Sequence, residues 1–518
     1  MHESPYAAWL RGIALNPAAP SDVLVRLLGP EAGPAALLMC EGRDLPDEVV
    51  DVALRHPARA VRRALAGNRY VDPSRLAPLA SDPSGIVRGR LAGGPRPRPR
   101  RVRPLPDDIL VTLLTARDGG EDRMLTEHEI AQELDFSRQI PASFHRSMAD
   151  HEHPRLRVRA TWNWRSLTPA QREALLDDPD PAVREAARES VWELDPEGVE
   201  AKLPSFGAHG RSHVLGAYPL SRAVVEQCLA ADEVYPLTWN RHTPADALAR
   251  LARHPEAGVR ARVAARPDLA PDLVARLEED PDASVRRRAR LHPFPRTWAE
   301  YRAIERIIGH GLDCTCPITE PFAGPDPDPD PERLTEPSPA WFAACAVSME
   351  PVLRRVAAAW PGLPEELVGT LAHDEDEEVR IRLACHHPLA PPQLLLDVFV
   401  TRPAHRPHLL TLPAFPRTGR VHLLDHPDPE VRALAAADPA LSRPPVEDPD
   451  ASVSRAAAAH PNLTPESLDT LLARPGAAEG AAANPSLPAA RMHALLDLCP
   501  DGVAPPAPGY GAGCRTGT

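Results

Sequence analysis

A short phrase returns along most of this chain and sets what it can fold into. It is an acidic or Pro-containing start followed by Val-Arg and small residues. It reads DPSGIVRGRLA from Asp82, DPDPAVREAA from Asp178, HPEAGVRARVAARP from His254, DPDASVRRRARLHP from Asp280 and DEDEEVRIRLACHHP from Asp374. HPDPEVRALAAADP from His426 and DPDASVSRAAAAHP from Asp448 continue the series. A Pro-flanked, Leu-rich phrase alternates with it: LAPDLVARL from Leu269, LPEELVGTL from Leu363, LAPPQLLLDVF from Leu389 and LTPESLDTLL from Leu463. Val61 and Val87, Val259 and Val285, and Val431 and Val453 bracket units of about two dozen residues, too short for two long helices and a turn.

The chemistry of one unit predicts its form. In DPDASVSRAAAAHPNLTPESLDTLL, Asp448 is expected to cap a helix whose first turn accepts Pro449, because the early amides need no intrahelical partner. Val453 and Ala457 share a face, and Ala456 and Ala459 extend a narrow surface on which another helix can approach closely. Pro461 stops the helix and pushes His460 out of helical geometry. Thr464 and Pro465 restart a short segment whose apolar side is Leu468, Leu471 and Leu472. Each unit is too small to close its own core, so stacking on its neighbours makes it fold. Composition agrees: hydrophobic residues make up 43% of 518 residues but aromatics only 4%, so the interior is built from Leu, Ala and Val. The expected fold is all-α: a superhelical solenoid of short α-helices alternating with 3₁₀-like helices, with irregular insertions.

The pattern at Asp280 to Pro293, Leu363 to Pro388 and Asp448 to Leu472, with further units at Asn16 to Leu28 and Asn484 to Leu496, resembles the leucine-rich repeat variant family. The resemblance implies an α-helix and a short 3₁₀-like helix per repeat, stacked without the β-strand of ordinary leucine-rich repeats. It speaks to architecture and not to activity. The family includes a member type with a cysteine-ligated iron–sulfur domain beside the repeats. Here Cys40 stands alone in the N-terminal region, which argues against inheriting that cofactor.

Interruptions divide the chain. Helical repeats are expected over 1–95, a basic connector and divergent helical region over 96–175, and central repeats over 176–293. A cysteine-containing interruption with an acidic Pro-rich loop follows over 294–339, then C-terminal repeats over 340–498 and a disordered tail over 499–518. Gly94 to Asp108 gathers Arg96, Arg98, Arg100, Arg101 and Arg103 on a proline-punctuated track, read as a solvated connector. In 109–175, Thr126 and Glu129 have capping-box spacing, and Trp162, Trp164 and the HEH of residues 151–153 are read as packing. The linker from Gly324 to Pro339 alternates proline with acid.

Candidate chemistry is sparse. His310, Cys314, Cys316 and Cys345 are the best metal ligands, suited to zinc, but C-x-C lacks the paired two-residue spacing of many structural zinc sites. No cofactor is expected; zinc or an iron–sulfur cluster at these residues is the alternative. Cys385, His386 and His387 are adjacent, yet His56, His254, His292, His387, His426 and His460 all precede proline at unit boundaries, so a structural role is preferred. Asp82, Asp178, Asp280 and Asp448 are read as capping groups. No phosphate-binding Gly-rich loop, metalloprotease helix motif or serine elbow is found.

The Val-Arg arginines, Arg62, Arg88, Arg184, Arg260, Arg286, Arg380 and Arg432, have two readings. They form an outward guanidinium ridge for carboxylates or phosphates, or they bridge acidic turns internally, which is favoured. Lys202 is the sole lysine, so arginine usage reflects coding preference and individual arginines carry less weight. A net charge of -13 argues against general coating of nucleic acid. The start MHESPYAAWLRGIALNP lacks a secretory pattern and no apolar run is long enough to span a bilayer, so a cytoplasmic protein without membrane partners is expected. The expected function is a non-enzymatic protein-interaction scaffold. The alternatives are a nucleic-acid adaptor using the arginine ridge, and a metal-dependent enzyme or metal-binding protein centred on 310–345.

Overall fold

The computed structural model describes residues 5–29, 33–96, 103–116, 125–137, 139–208, 210–291, 297–309 and 337–498. Short α-helices joined by turns and 3₁₀ segments account for their regular structure, with no strand among the described residues. No described helix is long and apolar enough to cross a membrane. The chain divides into two compact units, one made of Met1–Gln139 and Arg417–Thr518 and the other of Ile140–Pro416.

The Val-Arg phrases form helices. Their valines at positions 61, 87, 183, 259, 285, 379, 431 and 453 are all 0% exposed, each contributing about 1.5 to 3 kcal/mol by leaving water. Helix starts follow local chemistry with one correction. Asp448 does not cap its helix: the helix is Ala451–Ala458 and its N-cap is Asp450, whose carboxylate accepts from the Ser452 amide. Asp448 sits two residues earlier and accepts from the Asp450 amide, closing an Asx turn. Asp178 and Asp280 are likewise displaced by Asp180 and Asp282, and Asp82 by Ser84. Pro449 therefore lies in the turn, not in the first helical turn. Thr464 does cap Pro465–Leu472, and Thr126 with Glu129 forms the expected capping box.

In the first unit the Val-Arg helices and their equivalents pack in a row, in the order Pro429–Ala436, Ala451–Ala458, Ala478–Ala482, Pro5–Leu15, Pro34–Gly42, Arg59–Ala66, Gly85–Gly93 and Glu127–Ser137. A second row runs beside it: Ala489–Asp497, Ser21–Leu27, Asp47–Leu54, the 3₁₀ segment Pro73–Ser81, and Asp107–Thr115. Both rows pass from the C-terminal segment directly to the N-terminal one. At that junction Trp9 Nε1 donates to the Leu472 carbonyl at 2.8 Å and Arg11 Nε to Glu479 at 2.9 Å. Arg26 and Asp497 pair at 2.5 Å, and His493 meets Asp22 at 3.0 Å. Ile13, Ala14, Ala481 and Ala482 beside them are all 0% exposed.

In the second unit, Pro154–Thr161 packs on Pro181–Ser190, and Arg211–Ala217 on Tyr235–Trp239. The latter leads through Ala257–Ala265 to Ala283–Ala289. Trp298–Ile308 packs on Pro351–Ala359, which packs on Glu377–His386.

Candidate functional site

The Val-Arg arginines lie in the first turns of their helices, and their guanidinium groups bond back to the chain. Arg260 makes a two-pronged pair with Asp280 of the next unit, Nε to Oδ2 at 2.8 Å and Nη2 to Oδ1 at 2.9 Å. Its remaining nitrogen donates to the carbonyls of His254 and Pro255, six and five residues upstream. Arg62 repeats this with Asp82 and the carbonyls of His56 and Pro57, and Arg432 with Asp448 and the carbonyls of His426 and Pro427. Arg184, Arg286 and Arg380 make the backbone contacts, to Asp178, Asp280 and Asp374. Arg88 donates to the Asp82 carbonyl and pairs with Glu127 at 3.0 Å.

Two further members escaped the sequence pattern because leucine replaces valine before them: Arg157 pairs with Asp178 and Arg354 with Asp374. An aspartate about one unit downstream of each arginine was the available signal. The arginine hydrogen bond holds the Asp178, Asp280 and Asp448 carboxyls below the ordinary carboxylate range, and the partner arginines are raised by the same bond.

A second ladder joins the other ends of the Val-Arg row. A helix leaves its last carbonyls without intrahelical donors, and here the following unit supplies them. In the first unit His460 reaches the Asp438 carbonyl, and Asn484 the Ala458 and His460 carbonyls. Asn16 then reaches Ala482 and Asn484, Arg43 reaches Ala14 and Asn16, and Asn68 reaches Cys40 and Arg43. The rung from Asn16 to Asn484 crosses between the two chain ends. Asn240 and Arg266 do the same in the second unit.

The boundary histidines divide between two positions. His56, His254 and His426 stand where other units have the turn aspartate, each ring accepting an amide two residues on. His387 and His460 follow the helix. His292 lies outside the described residues.

Of the metal candidates, His310, Cys314 and Cys316 lie outside the described residues. Cys345 is buried in the helix Pro339–Ala346, where burial pushes its thiol far above the usual range. Among the described residues no group of three or more His, Cys, Asp or Glu could hold a metal ion. Cys385 and His405 are both buried, with sulfur and Nδ1 3.6 Å apart, and His408 meets the Cys385 carbonyl at 2.8 Å.

The second unit holds most of the tryptophans, and cations stack on their rings. Lys202 lies 5.1 Å from the Trp192 ring, which stacks on Tyr218 at 5.3 Å and 18°. Arg165 covers Tyr218 at 5.1 Å. Further along, Arg241 and Arg266 lie 5.6 and 5.3 Å from Trp298. The exposed Arg262 lies 5.5 Å from the ring of Tyr235 and 5.6 Å from that of Trp239. Trp239 fits because position 216 is glycine: a Cβ there would come within 2.1 Å of its indole nitrogen.

Beside the first of these clusters, burial pushes the Glu193 carboxyl up to about 7 against the pull of Arg165 and Lys202. A carboxyl whose pKa is raised on folding gives stability that is present below its unfolded value, about 4.3, and is lost as pH rises through 7. Stability should therefore fall over that window, and Glu193→Gln should flatten the fall and raise the melting midpoint at alkaline pH. Thermal unfolding of both proteins followed by circular dichroism checks this; an unchanged pH slope in the variant would assign the effect elsewhere.

No protein-family model and no curated protein matches this chain. The family resemblance rests on the repeat residues themselves.

Proposed function

We propose that the chain is a non-enzymatic protein-interaction scaffold, a helical solenoid of the leucine-rich repeat variant kind whose exposed helix faces carry recognition. The observation that carries this reading is the use made of the recurring polar residues. Arginine, aspartate, asparagine and histidine at unit edges bond to the adjoining unit, so the repeated chemistry holds helices in register. A rigid row of short helices keeps side chains on its outer face at fixed spacing, which limits the ordering cost of docking a partner. The nucleic-acid alternative asks the Val-Arg arginines to meet phosphates, and their donors already point to carbonyls and carboxylates.

Affinity purification from the native cell with chemical crosslinking tests the proposal. A partner protein recovered at a fixed ratio, with crosslinks on the exposed helix faces, is expected. Nuclease-sensitive, salt-dependent recovery of nucleic acid would replace the scaffold reading with the adaptor one. A stoichiometric metal lost on Cys314→Ser would replace it with the metal-centred one.

A further inference from the structure

The residue before the valine of a Val-Arg phrase is small or acidic, as at Ala60, Ala182, Gly258, Ser284, Glu378 and Glu430. Ile86 departs from this, and the repeat itself gives no reason for a half-buried aliphatic group at that register. Ile86 lines a cleft of about 350 Å³ in the first unit, along the row Pro34–Gly42, Arg59–Ala66, Gly85–Gly93 and Glu127–Ser137. Leu37 and Leu125, also half-buried, share its apolar wall. Leu125 comes close because position 89 is glycine: a Cβ there would lie 2.7 Å from its side chain.

The same cleft is lined by Arg63, Arg90 and Arg96 and by two glutamates, Glu41 and Glu133. Arg90 pairs with Glu41 at 2.5 Å, and Arg96 lies 3.5 Å from Glu133. Arg63 is exposed and pairs with no carboxylate among the described residues. Its charge reaches Arg90: burial lowers the Arg90 pKa, and Arg96 and Arg63 lower it further against the pull of Glu41. Three cations against two carboxylates leave the cleft one negative charge short.

Resting on the scaffold reading above, we propose that this cleft binds the free C-terminus of a partner protein whose last residue is aliphatic. The terminal carboxylate pairs with Arg63, and the last side chain packs against Leu37, Ile86 and Leu125. A chain end carries both groups on one Cα, which suits a cleft at the small end of ligand cavities, with room for a residue or two and not for a helix. Glu41 and Glu133 would repel a second negative charge, so the cleft suits one carboxylate better than a phosphate chain or a run of acidic side chains.

The test uses the full chain and a glycine–serine peptide ending in leucine, labelled with rhodamine at its N-terminus and read by anisotropy. Binding is expected, weakened about tenfold by a C-terminal amide or by serine as the last residue. Arg63→Gln should weaken it about tenfold, and so should Ala60→Glu, which brings a competing carboxylate to the cleft. Both positions are exposed, so both variants should keep the parent's melting midpoint. Arg188→Gln, at an exposed arginine that does not line the cleft, should bind as the parent does. Equal binding of acid and amide, or by parent and Arg63→Gln protein, would overturn this site while leaving the scaffold reading in place. Arg63-dependent binding of octanoate by calorimetry, with none of the peptide, would assign the cleft to free acids and overturn the proposal likewise. Arg63-dependent binding of labelled oligothymidylate in preference to the peptide would overturn both.

Discussion

Alanine at position 480 is expected to destabilise the first unit by about 2 to 3 kcal/mol, although alanine is the better helix former by about 1 kcal/mol. Gly480 lies in the helix Ala478–Ala482, which packs on Ala451–Ala458. A Cβ there would sit 2.0 Å from the Arg455 carbonyl oxygen, 2.8 Å from the carbonyl carbon and 3.0 Å from Ala458 Cβ. Two of these obstacles are backbone, which cannot rotate out of the way as a long side chain can. The helices must therefore separate, and neighbouring rungs lengthen with them. Gly369 supplies the opposite case, because it is exposed in Glu365–Leu371 with nothing within 4 Å of its ideal Cβ. Gly369→Ala should gain about 0.5 to 1 kcal/mol from the same change in chemistry. Urea unfolding of the pair by circular dichroism decides the matter: a Gly480→Ala protein as stable as its parent would mean that the close approach between these helices is not present in solution.

Removing one side of an arginine–aspartate clip should cost more than removing both. Asp280 is 8% exposed, and Asp280→Ala leaves the Arg260 guanidinium half-satisfied and the Asp282 amide without its acceptor. A loss of about 2 to 4 kcal/mol is expected, below the full buried-pair range because the arginine edge reaches solvent. The double replacement Arg260→Met with Asp280→Leu removes both charges and keeps apolar bulk, so it should recover at least about 1 kcal/mol of that loss. The clip also predicts the acid dependence. Asp280 titrates below its ordinary value when folded, so its contribution is complete above an unfolded pKa of about 3.9 and is lost as pH falls through the folded value. Parent and Asp280→Ala stabilities should converge in that acid range, and a gap that persists below it would show that the clip is not electrostatic.

The helices were legible because valine and alanine spacing is a local property of the phrase, and burial of Val259 or Val453 follows from it. The turn at Asp448 was harder to read. Asp448 and Asp450 are both good acceptors before a helix, and what separates their roles is Arg432, a side chain from the preceding unit. The same distance hid the partners of the arginines: the sequence favours internal bridging of acidic turns, but Val-Arg alone does not reveal which aspartate waits one unit downstream. Arg262 was invisible for a related reason: its neighbours Tyr235 and Trp239 belong to a unit that carries no Val-Arg phrase. The meeting of the chain ends did leave a trace. Asn16-Pro17 and Asn484-Pro485 are the same dipeptide at the same point of their units, and each asparagine reaches into the unit before it in space.

That meeting has a consequence for biosynthesis. When Asn16 leaves the ribosome its acceptors at Ala482 and Asn484 have not been made, and Trp9 must wait equally long for Leu472. The helices Pro5–Leu15 and Ser21–Leu27 thus keep one flank bare until about 460 further residues have been made, and contacts this remote in sequence are slow to form. A rearranged gene that links Asp497 to Pro5 through a short flexible loop and opens the chain at another turn would bring those helices close in sequence to their neighbours, so it should refold faster from urea than the natural order does.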